Sequence, residues 1–284
     1  MSELGETRIG PRTFRWGERT FVMGILNVTP DSFSGDGLLA AEDAVGAAVA
    51  QAVEMAEEGA DLLDIGGESS RPGHAGVDED EELRRTIPVV RAVRAALPAM
   101  PLTIDTTKPG VAAAALDAGA DAINDIWGVG EDDVLVRLAA AREVPLIVMH
   151  NRPEPRYRDL VGEVIDDLRR AIERAARAGV PRVNLIVDPG IGFGKMADHN
   201  LELLRRLGEL RLLGRPILLG TSRKSTLGKV LDLPADERLE ATLATTALGI
   251  AGGVDIVRVH DVLENVRAAR MADAIVRGSW REAT

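Results

Sequence analysis

The sequence predicts a (β/α)8 TIM barrel with a short N-terminal β-hairpin, and three observations predict it. Eight short runs of branched aliphatic residues recur along the 284 residues. Between them lie stretches with the period of amphipathic helices. Aromatics make up 3% of a chain that is 45% hydrophobic, so the core is built from Ala, Val, Leu and Ile, as strands buried on both faces require. The length suits one barrel, which commonly needs about 250 residues, and residues 1–284 are expected to form a single domain.

The hairpin comes first, over residues 7–19, with Trp16-Gly17 near its turn and the barrel bottom beneath it. The eight strands follow at 21–28, 61–65, 102–105, 122–126, 146–149, 184–188, 217–219 and 255–259. Each is short and ends in Gly, Pro, Asn or Asp, which punctuate strands. The intervening helices are predicted at 41–58, 81–96, 111–118, 133–142, 165–178, 200–212 and 237–250, with a last one at 262–277. Gly59, Gly119 and the pair Gly252-Gly253 close three of them, as left-handed caps that return the chain to the sheet. A doubly wound open sheet is the competing fold, disfavoured because no G-x-G-x-x-G follows the first strand.

Composition excludes several functions. The net charge of −11 argues against a nucleic-acid or anionic-membrane surface, since both reward basic patches. Cysteine is absent, which removes disulfides, thiolate metal sites and thiol nucleophiles. No run approaches about 18 uninterrupted apolar residues, and a cytoplasmic enzyme is expected. Of 34 basic residues only Lys108, Lys195, Lys224 and Lys229 are lysines, so each is a candidate for a place where an ammonium matters.

In such barrels the chemistry sits at the C-terminal ends of the strands, and here those ends are unusually polar. Asp105, Asn124 and Asp188 end apolar strands, where a carboxylate facing the interior costs several kcal/mol unless it is bonded. Converging on one cavity, they offer acceptors to a flat heterocycle with an amidine-like donor edge, and Lys224 offers a donor for a ring carbonyl or nitrogen. Arg258 and His260 lie two residues apart on one strand, hence on one face, and make an anion clamp. Their bland alternative is ion pairing with Asp255 or Asp261. Asn27 is a neutral oxygen donor suited to a Mg2+ ion that keeps most of its waters, or else a strand-end cap.

Two Gly/Pro-rich loops, 29–39 and 67–78, read as lids carrying Phe33, Ser69, Ser70 and Arg71, or as ordinary surface loops. His150 ends an apolar run and reads equally as a satisfied core histidine, whereas His74 and His199 read as solvent-side residues.

From about residue 21 to 271 the chain resembles the dihydropteroate synthase family. Gly24-Ile25-Leu26-Asn27-Val28-Thr29-Pro30-Asp31-Ser32-Phe33 is similar to its first signature and residues 64–73 to its second. Residues 188–195, Ser222-Arg223-Lys224-Ser225 and Arg258-Val259-His260-Asp261 follow in the family's order. The resemblance implies a transferase of folate biosynthesis, which condenses 6-hydroxymethyl-7,8-dihydropterin diphosphate with 4-aminobenzoate and releases pyrophosphate. It implies that Asp105, Asn124, Asp188 and Lys224 hold the pterin. It implies that Asn27, Arg258 and His260, with Mg2+, hold the diphosphate, helped by Ser70 and Arg71. Phe33, Phe193 and Ser222 would border the aminobenzoate, with Ser70 and Arg71 nearby, and Asp105, Lys224, Arg258 and His260 would be catalytic. Position 70 is usually Thr in the family and is Ser here, so a methyl is lost and the hydroxyl kept. A homodimer through the last helices is implied too, with Ala244, Ala247 and Gly249 compatible with close helix packing.

Two other readings compete. A pterin-binding methyltransferase would share the Asp and Asn residues without needing a diphosphate clamp. A non-catalytic binding barrel would have lost the rim carboxylates or the clamp.

Overall fold

A computed structural model describes residues 4–28, 41–68, 76–127 and 134–278. The chain opens with an antiparallel hairpin, β1 (Glu6–Ile9) and β2 (Arg12–Arg15). Its turn is Gly10-Pro11 rather than the expected Trp16-Gly17, because Gly10 (φ +55°) supplies the left-handed backbone that a two-residue turn needs. Trp16 lies beyond the hairpin, where its indole N–H donates to Thr7 Oγ1 at 2.9 Å.

Eight parallel strands then form one sheet: β3 (Phe21–Asn27), β4 (Leu62–Gly66), β5 (Leu102–Asp105), β6 (Ala122–Asp125), β7 (Leu146–Met149), β8 (Leu185–Asp188), β9 (Leu218–Leu219) and β10 (Ile256–Val259). Their order is β8-β7-β6-β5-β4-β3-β10-β9, and a parallel bridge from Val187 to Ile217 carries the sheet round between β8 and β9. The eight predicted strands all form, within a residue or two.

The helices are α1 (Ala41–Glu57), α2 (Glu79–Ala96), α3 (Pro109–Ala118), α4 (Val134–Arg142), α5 (Leu160–Arg177), α6 (Ala197–Arg205), α7 (Ser225–Leu231), α8 (Leu239–Ala251) and α9 (Val262–Val276). Helix α2 begins where Asp78 accepts from the Glu81 amide at 2.8 Å, and four acids in its first turn oppose the helix dipole. Helix α5 starts five residues before the expected 165, because Asp159 caps it and Leu160, Val161 and Val164 are already buried. The expected helix 200–212 is two pieces, α6 and a 3-10 segment over Leu207–Leu213. Helix α7 was not foreseen. Gly59, Gly119 and Gly253 all take positive φ at the returns.

Alternate strand positions split the core in two. Residues such as Leu63, Ile104, Ile123, Val148 and Val187 face outward into the layer shared with the helices. Met23, Leu62, Ala122, Ile147, Ile186, Leu218 and Ile256 face inward and pack on Ile9, Phe14, Trp16 and Phe21. The hairpin and its aromatics therefore close the barrel floor. Two residues further along the strands, the inward positions are Ile25, Asp64, Asp105, Asn124, Met149, Asp188, Gly220 and Arg258. One period-2 register thus stacks an apolar floor beneath a polar rim.

Candidate active site

The centre of the rim is Arg258 on β10. Its Nε donates to Asp64 Oδ2 and its Nη2 to Asp105 Oδ2, both at 2.6 Å, with 14% of the side chain exposed. Burial opposes the guanidinium charge, but Asp64 and Asp105 outweigh it and raise its pKa further. Neither Asp255 nor Asp261 is its partner. Asp255 accepts the Ile217 amide at 3.0 Å, and Asp261 pairs with Arg223 (Nε to Oδ2 3.2 Å).

Asp64 is fully buried and also accepts from Asn124 Nδ2 at 2.8 Å and from the Thr103 hydroxyl. A carboxylate only accepts when ionised, so the Asn124 amide must turn its NH2 toward Asp64 and its oxygen away. Asp64 therefore fixes both the Asn124 orientation and the Arg258 position. The sequence alone assigns Asp64 no role. The signal was present, since Asp64 interrupts the apolar run Leu62–Gly66 and shares the inward face with Asp105 and Asn124, one inward position nearer the floor, opposite Thr103.

Burial pushes the Asp105 carboxyl up to about 7, against the pull of Arg258 and with Asp64 and Glu82 adding to the rise. Glu82 is buried behind it, with Oε2 accepting from Lys108 Nζ at 2.6 Å and Oε1 unpaired. Asp188 is raised by burial and steadied by the Gly190 amide, which donates to Oδ1 at 2.7 Å. Lys224 precedes α7, with its Nζ 3.9 Å from the centre of the Phe193 ring. Burial lowers its pKa to about 8. Ser222 Oγ and His260 Nδ1 are 3.0 Å apart, and the His260 amide donates to the same Oγ at 3.2 Å.

Asn124, Asp188, Lys224 and Arg258 line a single cleft, whose apolar wall includes Met149, Ile191 and Phe193. Asp105 is reached from that cleft through Arg258, which holds its carboxylate. Asn27 ends β3 at the rim, in register with Gly66. Among the described residues no three or more His, Cys, Asp or Glu side chains group as a metal cage. Phe33, Ser70 and Arg71 lie outside the described residues. His150 is buried, with Nε2 3.1 Å from Asp167 and Nδ1 2.8 Å from Lys195 Nζ, which is the satisfied core histidine. His199 is partly buried, edge-on to Tyr157, rather than solvent-side.

The profile of the family described as pterin binding enzyme matches residues 23–260. The chain is 49% identical over 271 residues to the dihydropteroate synthase of Clostridium beijerinckii, covering 95% of this chain and 99% of that one. It is 48% identical to the Bacillus subtilis dihydropteroate synthase, covering 94% and 92%. Among solved structures, Clostridium difficile dihydropteroate synthase crystallised with pteroic acid superposes with a TM-score of 0.89 at 50% identity, covering 93% and 99%. The Xanthomonas albilineans dihydropteroate synthase with 4-aminobenzoic acid gives 0.89 at 42% identity, covering 95% and 97%.

Proposed function

The chain belongs to the dihydropteroate synthase family of pterin-binding enzymes, and from that premise we propose how its own residues share the reaction. It condenses 6-hydroxymethyl-7,8-dihydropterin diphosphate with 4-aminobenzoate, giving 7,8-dihydropteroate and pyrophosphate, as a transferase of folate biosynthesis. The observation that carries the assignment of roles is the lining of one cleft by Asn124, Asp188, Lys224 and Arg258.

Asn124 and Asp188 accept from the amidine edge of the pterin, while Lys224 donates to its ring oxygen or nitrogen. Arg258 and His260 face the diphosphate, with Ser70 and Arg71 from their loop. Phe33, Phe193 and Ser222, with Ser70 and Arg71 nearby, border the amine. Without ligand, Arg258 is neutralised by Asp64 and Asp105. Phosphate oxygens give the guanidinium a second set of bidentate acceptors. Arg258 then turns toward the leaving group, and Asp105 is released beside the pterin. The C–O bond to pyrophosphate breaks as the ring nitrogens delocalise the developing cation, which the Asp105 carboxylate stabilises. The amine nitrogen of 4-aminobenzoate then attacks the methylene carbon and gives up one proton to water or to the departing pyrophosphate. No nucleophilic side chain is needed.

The donor set fits Mg2+. A single neutral oxygen from Asn27 suits an ion that draws its other ligands from water and diphosphate, and when bound it neutralises charge on the leaving group. Residues 1–284 are read as one pterin-binding barrel domain. A cytoplasmic location follows from a diphosphate substrate that does not cross bilayers unaided, and small molecules, not nucleic acid or membrane, are the expected partners. No described helix is long and apolar enough to cross a membrane.

A homodimer is supported by an exposed apolar face on α8 and α9, where Leu248 (69%), Met271 (62%) and Ile275 (73%) stand open beside Ala244 and Ala247. Gly249 packs inward against Leu219 and belongs to the core instead. Leu248→Glu should shift the chain toward monomer in light scattering; an unchanged mass would place the dimer elsewhere. Incubation with the pterin diphosphate, Mg2+ and 4-aminobenzoate should release pyrophosphate. Absence of release, or methyl transfer from methyltetrahydrofolate in its place, would refute the synthase reading.

A further inference from the structure

Lys195 is a part-buried cation that the reaction described above leaves unused. It ends the turn after β8, and its Nζ lies 2.9 Å from the Gly190 carbonyl, 2.9 Å from the Phe193 carbonyl and 2.8 Å from His150 Nδ1. The His150 carbonyl lies 3.4 Å from the same Nζ, so four acceptors surround an ammonium that has three hydrogens and no acceptor of its own. When the ammonium donates to His150 Nδ1, that nitrogen is the unprotonated one. The His150 Nε2–H then donates to Asp167, which Arg152 holds through Nε at 2.8 Å. Burial lowers the His150 pKa, which keeps this tautomer neutral.

The turn fits tightly against β7. Gly190 has φ +67°, and a Cβ placed there would lie 1.9 Å from the His150 carbonyl oxygen. No side chain fits between the two backbones, and the Lys195 ammonium bridges them beside the backbone bond from the His150 amide to the Asp188 carbonyl. The same few residues set two groups of the cleft, Asp188 and Lys224. The Gly190 amide holds Asp188, Gly192 lies against the Lys224 stem, and Phe193 receives the Lys224 ammonium over its ring. A buried ammonium is costly to hold, and burial lowers that of Lys195 to about 7. A structural turn alone could be closed by a neutral donor at less cost.

We propose that Lys195 is a positioning residue, whose ammonium ties the Gly190 and Phe193 carbonyls to His150 and so holds Phe193 against Lys224 where the aromatic amine enters. The proposal rests on the synthase reading, in which Phe193 borders the aminobenzoate.

The test is a steady-state comparison in which each substrate is varied separately. Lys195→Met keeps the stem and loses the charge. It should fold with the parent's circular dichroism, raise KM for 4-aminobenzoate about tenfold and leave kcat within about threefold. Lys195→Arg, which retains a cationic donor, should recover part of that loss. A folded K195M with the parent's amine KM overturns the proposal. An equal rise in both KM values with a matching fall in melting temperature also overturns it, since that is general loosening.

Should K195M not fold, His150→Gln keeps a donor for Asp167 but removes the acceptor for Lys195, and should raise the amine KM about threefold. His150→Asn, whose amide oxygen comes near the place of Nδ1, should restore it; equal values for the two variants overturn the proposal. The parent enzyme is the control. If the parent itself releases no pyrophosphate, it is the synthase reading that fails.

Discussion

The floor and the rim of this barrel are built on the same strands, two residues apart, and they obey opposite rules. At the floor Leu62, Ala122, Ile186 and Ile256 meet Phe14, Trp16 and Phe21 in an apolar layer with rings 4.8 to 5.7 Å apart. At the rim the next inward residues are Asp64, Asn124, Asp188 and Arg258, and every one is tied into hydrogen bonds or ion pairs. The floor gains from removing apolar area from water, about 25 cal/mol per Å². The rim forgoes that gain and instead meets the cost of desolvating charge, which pairing only partly offsets. Stability therefore resides at one end and chemistry at the other, and substitutions at the two ends should separate cleanly.

The largest expected effect is at the floor. Phe14→Ala should lower unfolding free energy by roughly 3–5 kcal/mol, measured by urea titration, while kcat on the folded fraction stays near the parent value. A large loss of kcat in folded protein would erase the distinction. Next comes the rim. Lys224→Met should cut turnover about 10²–10³-fold. Its pKa in the fold is about 8, below the roughly 10.4 of a free lysine. The unfolded chain thus binds more protons between those values, and stability rises with pH across that window. Below pH 8 the cost of burying the ammonium is fully present, so removing it should leave the melting temperature at pH 7 unchanged or raised. A melt that collapses would make Lys224 structural.

A smaller effect sharpens the comparison within the rim. Asp64→Asn loses the charge facing Arg258 and frees the Asn124 amide to rotate, each costing about 1–3 kcal/mol. KM for the pterin diphosphate should rise more than KM for 4-aminobenzoate. Equal changes would show that Asp64 only supports packing.

The mildest test uses pH. Asp105, raised by burial to about 7, ionises on the acid side, and Lys224, lowered by burial to about 8, loses its charge on the alkaline side. The profile of kcat/KM should be a narrow bell between them. Lys224→Arg should remove the alkaline limb, because a guanidinium stays charged. A profile flat from about pH 6 to 9 would count against both roles.

Much of this arrangement was legible before any coordinates. Asp105, Asn124 and Asp188 stood out because each ends an otherwise apolar run, where only function or a buried bond tolerates oxygen. Asp64 escaped because its strand continues for two more residues, so it did not sit at an obvious end. Helix α7 escaped because its seven residues carry too little amphipathic period to register. His150 and Lys195 were each noticed singly, 45 residues apart, and nothing in the chain announced that they meet.

The alternation of strand and helix, the period-2 change from apolar floor to polar rim, and the end of the barrel that holds the chemistry are all written in the chain. Those follow from local rules of backbone geometry and burial, which act over a few residues. Only the tertiary structure decided that Arg258 would be held by Asp64 and Asp105, which lie 194 and 153 residues away, in preference to its near neighbours Asp255 and Asp261. Pairing inside a closed barrel depends on the register in which eight strands come round to meet, and that register is set by the packing of the whole ring.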